Sequence, residues 1–277
     1  MIFDGKASAL KMQEKLKEEI SNLPHTPRLA ILCVATHPSI TSFIAIKKRY
    51  AQALGAEMME YTFSEKDGEQ IIIEKIQELV DTDACDGIVV QLPLPSTFST
   101  QKILDSIPEH VDVDCLSSKT FDSFNKTGSP LPPVAGAVKY ILETNHIDLA
   151  NKKVVVIGYG NLVGKPVTLY LQHNNVTPSI VDITTSEVEK FKLYKEADIV
   201  ISGVGLPHHL HKEFFKLGVV LIDGGTSEQA GVLAGDFHPD CRDVASLMTP
   251  VPGGVGPLTV AHLFDNLITS FIKNNAK

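Results

Sequence analysis

Short apolar runs alternate with amphipathic stretches along the whole chain, and that alternation limits the fold more than any other feature. The run LAILCVA at 29–35 carries no polar residue, as a strand covered on both faces requires. Before it, Leu16, Ile20 and Leu23 recur at helical spacing within residues 8–23. After it come a helical stretch at 42–54, a strand at 57–63, a helix at 68–80 and a strand at 87–92, with turn residues at each change. Strands alternating with helices predict a parallel sheet sheathed by helices, that is, an α/β fold. A second series follows, with strands at 153–157, 178–182, 198–202 and 219–223, and a last helix from about 258 to 272. Between the two series, residues 117–133 (SSKTFDSFNKTGSPLPP) are rich in Ser, Thr, Gly and Pro and lack clear periodicity. The expected organisation is therefore two domains, 1–118 rejoined by the C-terminal helix 257–277, and 134–256, with a cleft at their junction as the ligand site.

The second series carries a dinucleotide-type turn. Strand KKVVVIG runs into Gly158-Tyr159-Gly160-Asn161-Leu162-Val163-Gly164, which opens a helix. A pyrophosphate at such a turn meets backbone N–H groups and the positive helix end, so Gly158, Tyr159, Gly160, Val163 and Gly164 are the candidate cofactor contacts. A phosphate loop of the ATPase type does not fit, because Lys165 is followed by Pro166 and the glycine spacing is wrong. Asp182 ends the next predicted strand, near the offset at which an acid accepts hydrogen bonds from the adenosine ribose. An acid there, with the neutral Tyr159 in the turn, favours NAD over NADP.

Composition removes other classes. Net charge is −8 in mixed-sign stretches, with no basic stripe to neutralise a nucleic acid backbone. The four cysteines lie far apart without a CxxC pair, which reads as reduced thiols in a cytoplasmic protein. The first residues lack the basic-then-apolar order of a signal peptide, and the uninterrupted apolar runs fall short of the roughly 20 residues that span a bilayer, so no membrane partner is expected. Pro207-His208-His209-Leu210-His211 is read as a surface loop and no metal site is expected, because adjacent histidines in an extended loop point different ways.

Three stretches are more particular than fold pattern requires. They are Asp86-Gly87-Ile88-Val89-Val90-Gln91-Leu92-Pro93-Leu94-Pro95, then Ile107-Pro108 through Val111-Asp112-Val113-Asp114, then Thr249-Pro250-Val251-Pro252-Gly253-Gly254-Val255-Gly256-Pro257-Leu258-Thr259. Together they resemble the DGILVQLPLP, IxPxKDVDG and TPVPGGVGPMT signatures of the bifunctional methylenetetrahydrofolate dehydrogenase/cyclohydrolase family. The likeness runs from Asp4-Gly5-Lys6 through 158–166 and 197–201 to the last helix. It implies an N-terminal α/β catalytic domain plus a Rossmann-like domain, tetrahydrofolate derivatives as substrates, NADP or NAD as cofactor, and a homodimer. Two reactions come with it: oxidation of 5,10-methylenetetrahydrofolate, and hydrolysis of the methenyl product to 10-formyltetrahydrofolate.

By the same resemblance the family's catalytic lysine maps onto Lys47, the glutamine that orients it onto Gln91, and the acid that binds the pterin onto Asp114. Phe43 and the backbone of Pro252, Gly253, Gly254, Gly256 and Pro257 map onto the folate site. Read without the family, Lys47-Lys48-Arg49 is a charge run of the kind usually found on a solvated helix face. The chain departs from the family pattern at Phe43 (tyrosine), Ile40 (serine), Cys115 (glycine), Tyr159 and Gly160 (arginine and serine), and in Leu131-Pro132-Pro133-Val134 (PCTP). Phe43 can stack on a pterin but has no hydroxyl to donate. A dehydrogenase without the hydrolytic step, and a non-catalytic folate- or nucleotide-binding protein, are the rival readings.

Overall fold

The computed structural model describes residues 1–34, 38–229 and 232–275. In chain order the first series is α1 (Gly5–Ser21), β1 (Arg28–Val34), α2 (Pro38–Leu54), β2 (Glu57–Phe63), α3 (Glu69–Asp81), β3 (Gly87–Val90), α4 (Thr100–Asp105) and α5 (Ser118–Thr127). The second is α6 (Pro133–Thr144), β4 (Val154–Ile157), α7 (Gly164–His173), β5 (Ser179–Val181), α8 (Glu187–Glu196), β6 (Ile199–Ser202), β7 (Val219–Asp223), β8 (Ser227–Gln229), β9 (Val232–Ala234), β10 (Ala245–Met248) and α9 (Val255–Asn275). Ala35, the last residue of the strand expected at 29–35, lies outside the described residues.

The chain forms two compact units. One comprises residues 10–133 and 260–277, the other 1–9 and 134–259. The first nine residues therefore do not belong with the N-terminal series, contrary to the expected 1–118 domain. The reason is main-chain bonding: the Phe3 N–H donates to Met248 O at 2.9 Å and Met248 N–H to Met1 O, so the N-terminus runs parallel beside β10.

In the unit of 10–133 and 260–277 the sheet order is β2-β1-β3, all parallel. β1 explains its own uninterrupted hydrophobicity. Leu29, Ile31 and Cys33 face Ile40, Ile44 and Leu54 of α2 and Phe264 and Leu267 of α9. Ala30, Leu32 and Val34 face Ile72, Ile76 and Leu79 of α3 and Ile103 of α4. With both faces covered, each fully buried Leu or Ile contributes about 1.5–3 kcal/mol of transfer free energy, and no position from Leu29 to Val34 tolerates a polar side chain. By length and apolarity α9 would suffice to cross a bilayer, yet its Leu263, Phe264, Leu267, Ile268 and Phe271 are packed in the protein's own interior.

The other unit holds a five-stranded parallel sheet, β10-β7-β6-β4-β5, and the short antiparallel pair β8-β9. Val155, Val200, Leu221, Phe215 and Phe237 form its core on one face.

Besides residues 1–9, the sequence expectation lacked β10, the fifth strand of the parallel sheet, and two further segments differ from it. Part of 117–133 is helical: Ser117 Oγ accepts from Thr120 N–H at the start of α5, and Gly128 closes it in the left-handed region at φ 77°. The last helix starts at Val255 rather than about 258, so Gly256 and Pro257 form its first turn, where a proline's missing N–H costs nothing.

Candidate active site

Lys47 lies on the inward stripe of α2. Ile40, Ile44, Ala51 and Leu54 are buried at spacings of four and three, and Lys47 occupies the position that continues this stripe, while Lys48 and Arg49 are exposed. Its ammonium donates to Gln91 Oε1 at 2.7 Å. Gln91 follows β3, is 7% exposed, and joins the sheet through its N–H to Leu32 O at 2.8 Å. The Gln91 Nε2 donates to Leu92 O at 2.8 Å, which settles the amide orientation and turns the oxygen toward the lysine.

Asp114 sits on a turn built by its neighbour. The buried Asp112 accepts the Ser117 N–H at 2.9 Å and the Leu116 N–H at 3.4 Å, and Asn266 of α9 donates to Val113 O at 3.0 Å and Leu131 O at 3.0 Å. Within that turn Cys115 has φ 58°, the left-handed backbone that accounts for a glycine in the family pattern at this position.

Desolvation dominates the electrostatics. Lys47 keeps some surface exposure as a whole residue, but its amine lies among protein atoms, and burial pushes its pKa below the ordinary lysine value although the charge of Asp114 opposes this. Burial likewise raises Asp114 to about 6, opposed by Lys47 and assisted by Asp112. Both groups are thus driven toward their neutral forms. An amine held by a neutral amide, and eased toward its neutral form by burial, is suited to general-base work on a water molecule. A partly exposed carboxylate that has lost hydration gains from any pair of N–H donors offered to it.

The other unit carries the glycine-rich turn between β4 and α7. Gly158 has φ 83° and donates its N–H to Val181 O at 2.8 Å. A Cβ on Gly164 would collide with Gly158 O and stand 2.9 Å from Tyr159 Cα, so this glycine lets the helix start close against the strand end. A Cβ on Gly160 would meet nothing within 4 Å. Val163 fills the space left by Gly203 and Gly224, since a Cβ on either would run into its side chain. Tyr159 is exposed, with Lys165 Nζ 5.9 Å from its ring centroid. Asp182 follows β5; its Oδ1 accepts from the Thr184 N–H at 2.8 Å and hydroxyl at 2.7 Å, and these bonds hold its pKa below the usual carboxylate value. A nicotinamide dinucleotide fits this cradle: the backbone turn is open where Gly160 lies, and the acid is placed beside it.

The proline- and glycine-rich stretch belongs to the same unit. Thr249 Oγ1 accepts the Asp223 N–H at 2.7 Å, Gly253 has φ 104°, and a Cβ on Gly5 would clash with the carbonyl oxygens of Gly253 and Gly254. Asp4 Oδ1 accepts the Ala7 N–H at 2.9 Å and so starts α1 at that crossing. Pro252 and Gly256 are exposed, Gly253 and Pro257 partly so, and Gly254 is buried.

Lys47, Gln91 and Asp114 are brought together in one unit; 158–164, Asp182 and 252–257 lie in the other. The sequence reading did not single out Asp112 or Asn266. Asp112 had a signal, as an acid between two apolar residues next to a strand-like run; Asn266 had none, since its neighbours one turn away are His262, Leu263, Thr269 and Ser270.

Fold and site together define a two-unit α/β protein with a dinucleotide-binding turn in one unit and a desolvated lysine in the other. Residues 3–114 match the catalytic domain, and residues 132–275 the NAD(P)-binding domain, of tetrahydrofolate dehydrogenase/cyclohydrolase. The chain is 36% identical to the bifunctional protein FolD of Caldanaerobacter subterraneus subsp. tengcongensis over 276 residues, covering 98% of this chain and 96% of that one. Among solved structures it resembles the bifunctional FolD methylenetetrahydrofolate dehydrogenase/cyclohydrolase of Campylobacter jejuni (30% identity, TM-score 0.94, 99% of each chain). It also resembles the Trypanosoma brucei enzyme complexed with NADP and an inhibitor (29% identity, TM-score 0.92, 99% of this chain and 98% of that one). The chain belongs to the tetrahydrofolate dehydrogenase/cyclohydrolase family.

Proposed function

We propose that this protein oxidises 5,10-methylenetetrahydrofolate to the methenyl compound with a nicotinamide cofactor and hydrolyses that compound to 10-formyltetrahydrofolate. The observation that carries the reading is the Lys47 amine, desolvated and held at 2.7 Å by the neutral Gln91 amide. Lys47 Nζ takes a proton from water as it adds to the methenyl carbon, and can return one to the ring nitrogen released on opening. Gln91 keeps the amine aimed without stabilising its protonated form as a carboxylate would. Asp114 accepts the paired N–H donors of the pterin edge, and Phe43 offers a ring for it to stack on.

When bound, the cofactor supplies the hydride acceptor, so the protein's part in that step is orientation. Gly158, Tyr159, Gly160, Val163 and Gly164 hold its pyrophosphate end, and Asp182 the adenosine ribose. An ionised Asp182 and a neutral Tyr159 favour NAD over NADP. The resemblance carries a homodimer with it, and the scattered cysteines a cytoplasmic location.

Lys47→Met tests the central role. Methenyl hydrolysis should fall by about 10²–10⁴-fold while hydride transfer falls much less, so that methenyltetrahydrofolate accumulates. Wild-type hydrolysis by the variant would remove Lys47 from the mechanism. Accumulation of the methenyl product by the unaltered enzyme would favour the dehydrogenase-only reading, to which Phe43 and Ile40 lend support.

A further inference from the structure

The loop that the sequence reads as plain surface, Pro207-His208-His209-Leu210-His211, meets one more histidine and an acid from farther along the chain. Three bonds staple the two segments: His208 N–H to Gly235 O at 2.9 Å, Leu210 N–H to Asp236 O at 3.1 Å, and His238 N–H to Leu210 O at 2.8 Å. The Cys241 thiol adds a fourth, to Leu210 O at 3.1 Å. This backbone holds the His211 and His238 rings 4.5 Å apart at 32° to each other. Both point Nδ1 at one oxygen: His211 Nδ1 is 3.4 Å and His238 Nδ1 3.1 Å from Asp240 Oδ2. Among the described residues this is the one group of His, Cys, Asp and Glu whose ligand atoms converge in this way, all within 4.8 Å of one another.

We propose that His211, His238 and Asp240 form a binding site for a divalent transition-metal ion of the zinc class. Zinc bonds of about 2.0–2.1 Å to imidazole nitrogen and carboxylate oxygen place neighbouring tetrahedral ligands roughly 3.3 Å apart. The two N···O separations, 3.1 and 3.4 Å, bracket that edge. Hydrogen bonding alone does not satisfy the cluster. His238 Nδ1 faces the Asp240 N–H at 3.3 Å, which needs a lone pair on the nitrogen, and Asp240 Oδ2 at 3.1 Å, which needs a proton there. One tautomer cannot meet both; a cation between Nδ1 and Oδ2 satisfies that pair, in exchange for the Asp240 N–H bond to the same lone pair. The second carboxylate oxygen is already oriented, since Asp240 Oδ1 accepts the Lys212 N–H at 3.2 Å, as outer-shell bonds commonly do for metal ligands.

Two imidazoles with one carboxylate select zinc, cobalt or nickel over magnesium or calcium, which prefer all-oxygen shells. The fourth position is left to water or to His208, whose ring centroid is 5.7 Å from that of His238. The ion clips the segment after β6 to the segment before β10. It does so beside Asp236, whose carboxylate holds the Val204 and Leu206 N–H groups at 2.8 and 2.9 Å. Its role is therefore structural and independent of the folate reading.

Chelator-stripped protein without an affinity tag is titrated with Co²⁺, followed by visible absorption, and with Zn²⁺, followed by calorimetry. The wild type should bind one equivalent and give the intense Co²⁺ spectrum of a four-coordinate site. His211→Ala, whose side chain carries no backbone bond, and Asp240→Asn, which keeps the shape of the acid, should each weaken Co²⁺ and Zn²⁺ by at least about tenfold and bleach that spectrum. Far-ultraviolet circular dichroism and unchanged metal-free dehydrogenase activity confirm that both variants are folded. Absence of saturable binding to the wild type overturns the proposal, and so does binding that survives in whichever variant is folded.

Discussion

Replacing Gln91 by Glu puts a carboxylate where the neutral amide oxygen lies, 2.7 Å from the Lys47 amine. An opposite charge within 4–6 Å moves a pKa by about 1–3 units, here upward, against the burial that pushes Lys47 down. At any pH below the amine's pKa, the neutral fraction available as a base falls about 10- to 1000-fold. Hydrolysis of methenyltetrahydrofolate by Gln91→Glu should fall by the same factor near neutrality and recover tenfold per pH unit until it reaches the wild-type plateau. Hydride transfer, which needs no proton on or off this amine, should change only a few-fold. Gln91→Met is the control: it loses the hold on the amine and the bond to Leu92 O without adding charge, so its rate should drop without displacement of the pH profile. Measuring methenyl decay and reduced cofactor separately across pH decides the matter. A Gln91→Glu profile that coincides with the wild type in shape, or equal loss in both reactions, would refute the view that Lys47 works as its neutral amine.

Asp114→Asn should give opposite signs in two measurements. Because burial raises the folded carboxyl from 3.8 to about 6, its ionised form costs stability, absent at low pH and growing as pH rises through that window, up to the order of 1–3 kcal/mol. Denaturant unfolding should find the variant more stable than wild type at pH 8 but not at pH 4, while kcat/KM for both reactions falls about 30- to 1000-fold; a stability difference independent of pH would count against a desolvated acid. For the same reason wild-type kcat/KM should fall as pH drops below about 6. Gly164→Ala drives a Cβ against the Gly158 backbone and should cost roughly 1–3 kcal/mol and most cofactor binding, whereas Gly160→Ala, with open space around it, should stay within about 0.5 kcal/mol; equal effects in thermal unfolding and cofactor titration would contradict the steric account. Asp182→Ser should narrow the preference for NAD over NADP in kcat/KM, and an unaltered ratio would place the ribose-binding group elsewhere.

Much of the fold was legible because it depends on local pattern. β1 reads as buried on both faces since every residue from Leu29 to Val34 is apolar, and the structure covers both faces. The glycine turn reads correctly because a strand end, a positive φ and a close helix start are all short-range requirements. α5 was not legible: only Phe121 and Phe124 mark its buried side, and Ser117 and Gly128, which cap it, read as loop residues. Membership of residues 1–9 was equally hidden, because a parallel pairing of Phe3 with Met248 leaves no trace within either segment.

The candidate site divides along the same line. By itself the sequence determined which residue types are present and, through its resemblance to a family, which of them to examine; the spacing of Ile40, Ile44, Ala51 and Leu54 even holds the clue that Lys47 faces inward. What only the tertiary structure decided is which groups share an environment. Lys47 and Gln91 are 44 residues apart and His211 and Asp240 are 29 apart, yet each pair lies within about one hydrogen-bond length. The physical reason is that a side chain's chemistry at these sites comes from what surrounds it in space. Desolvation lowers the Lys47 pKa, a buried Asp112 helps to raise that of Asp114, and a shared oxygen makes two loop histidines into neighbours. Asp112 and Asp114 are near neighbours in sequence, but the desolvation that makes their charges matter, like the other two effects, exists only once the sheet has brought distant segments side by side.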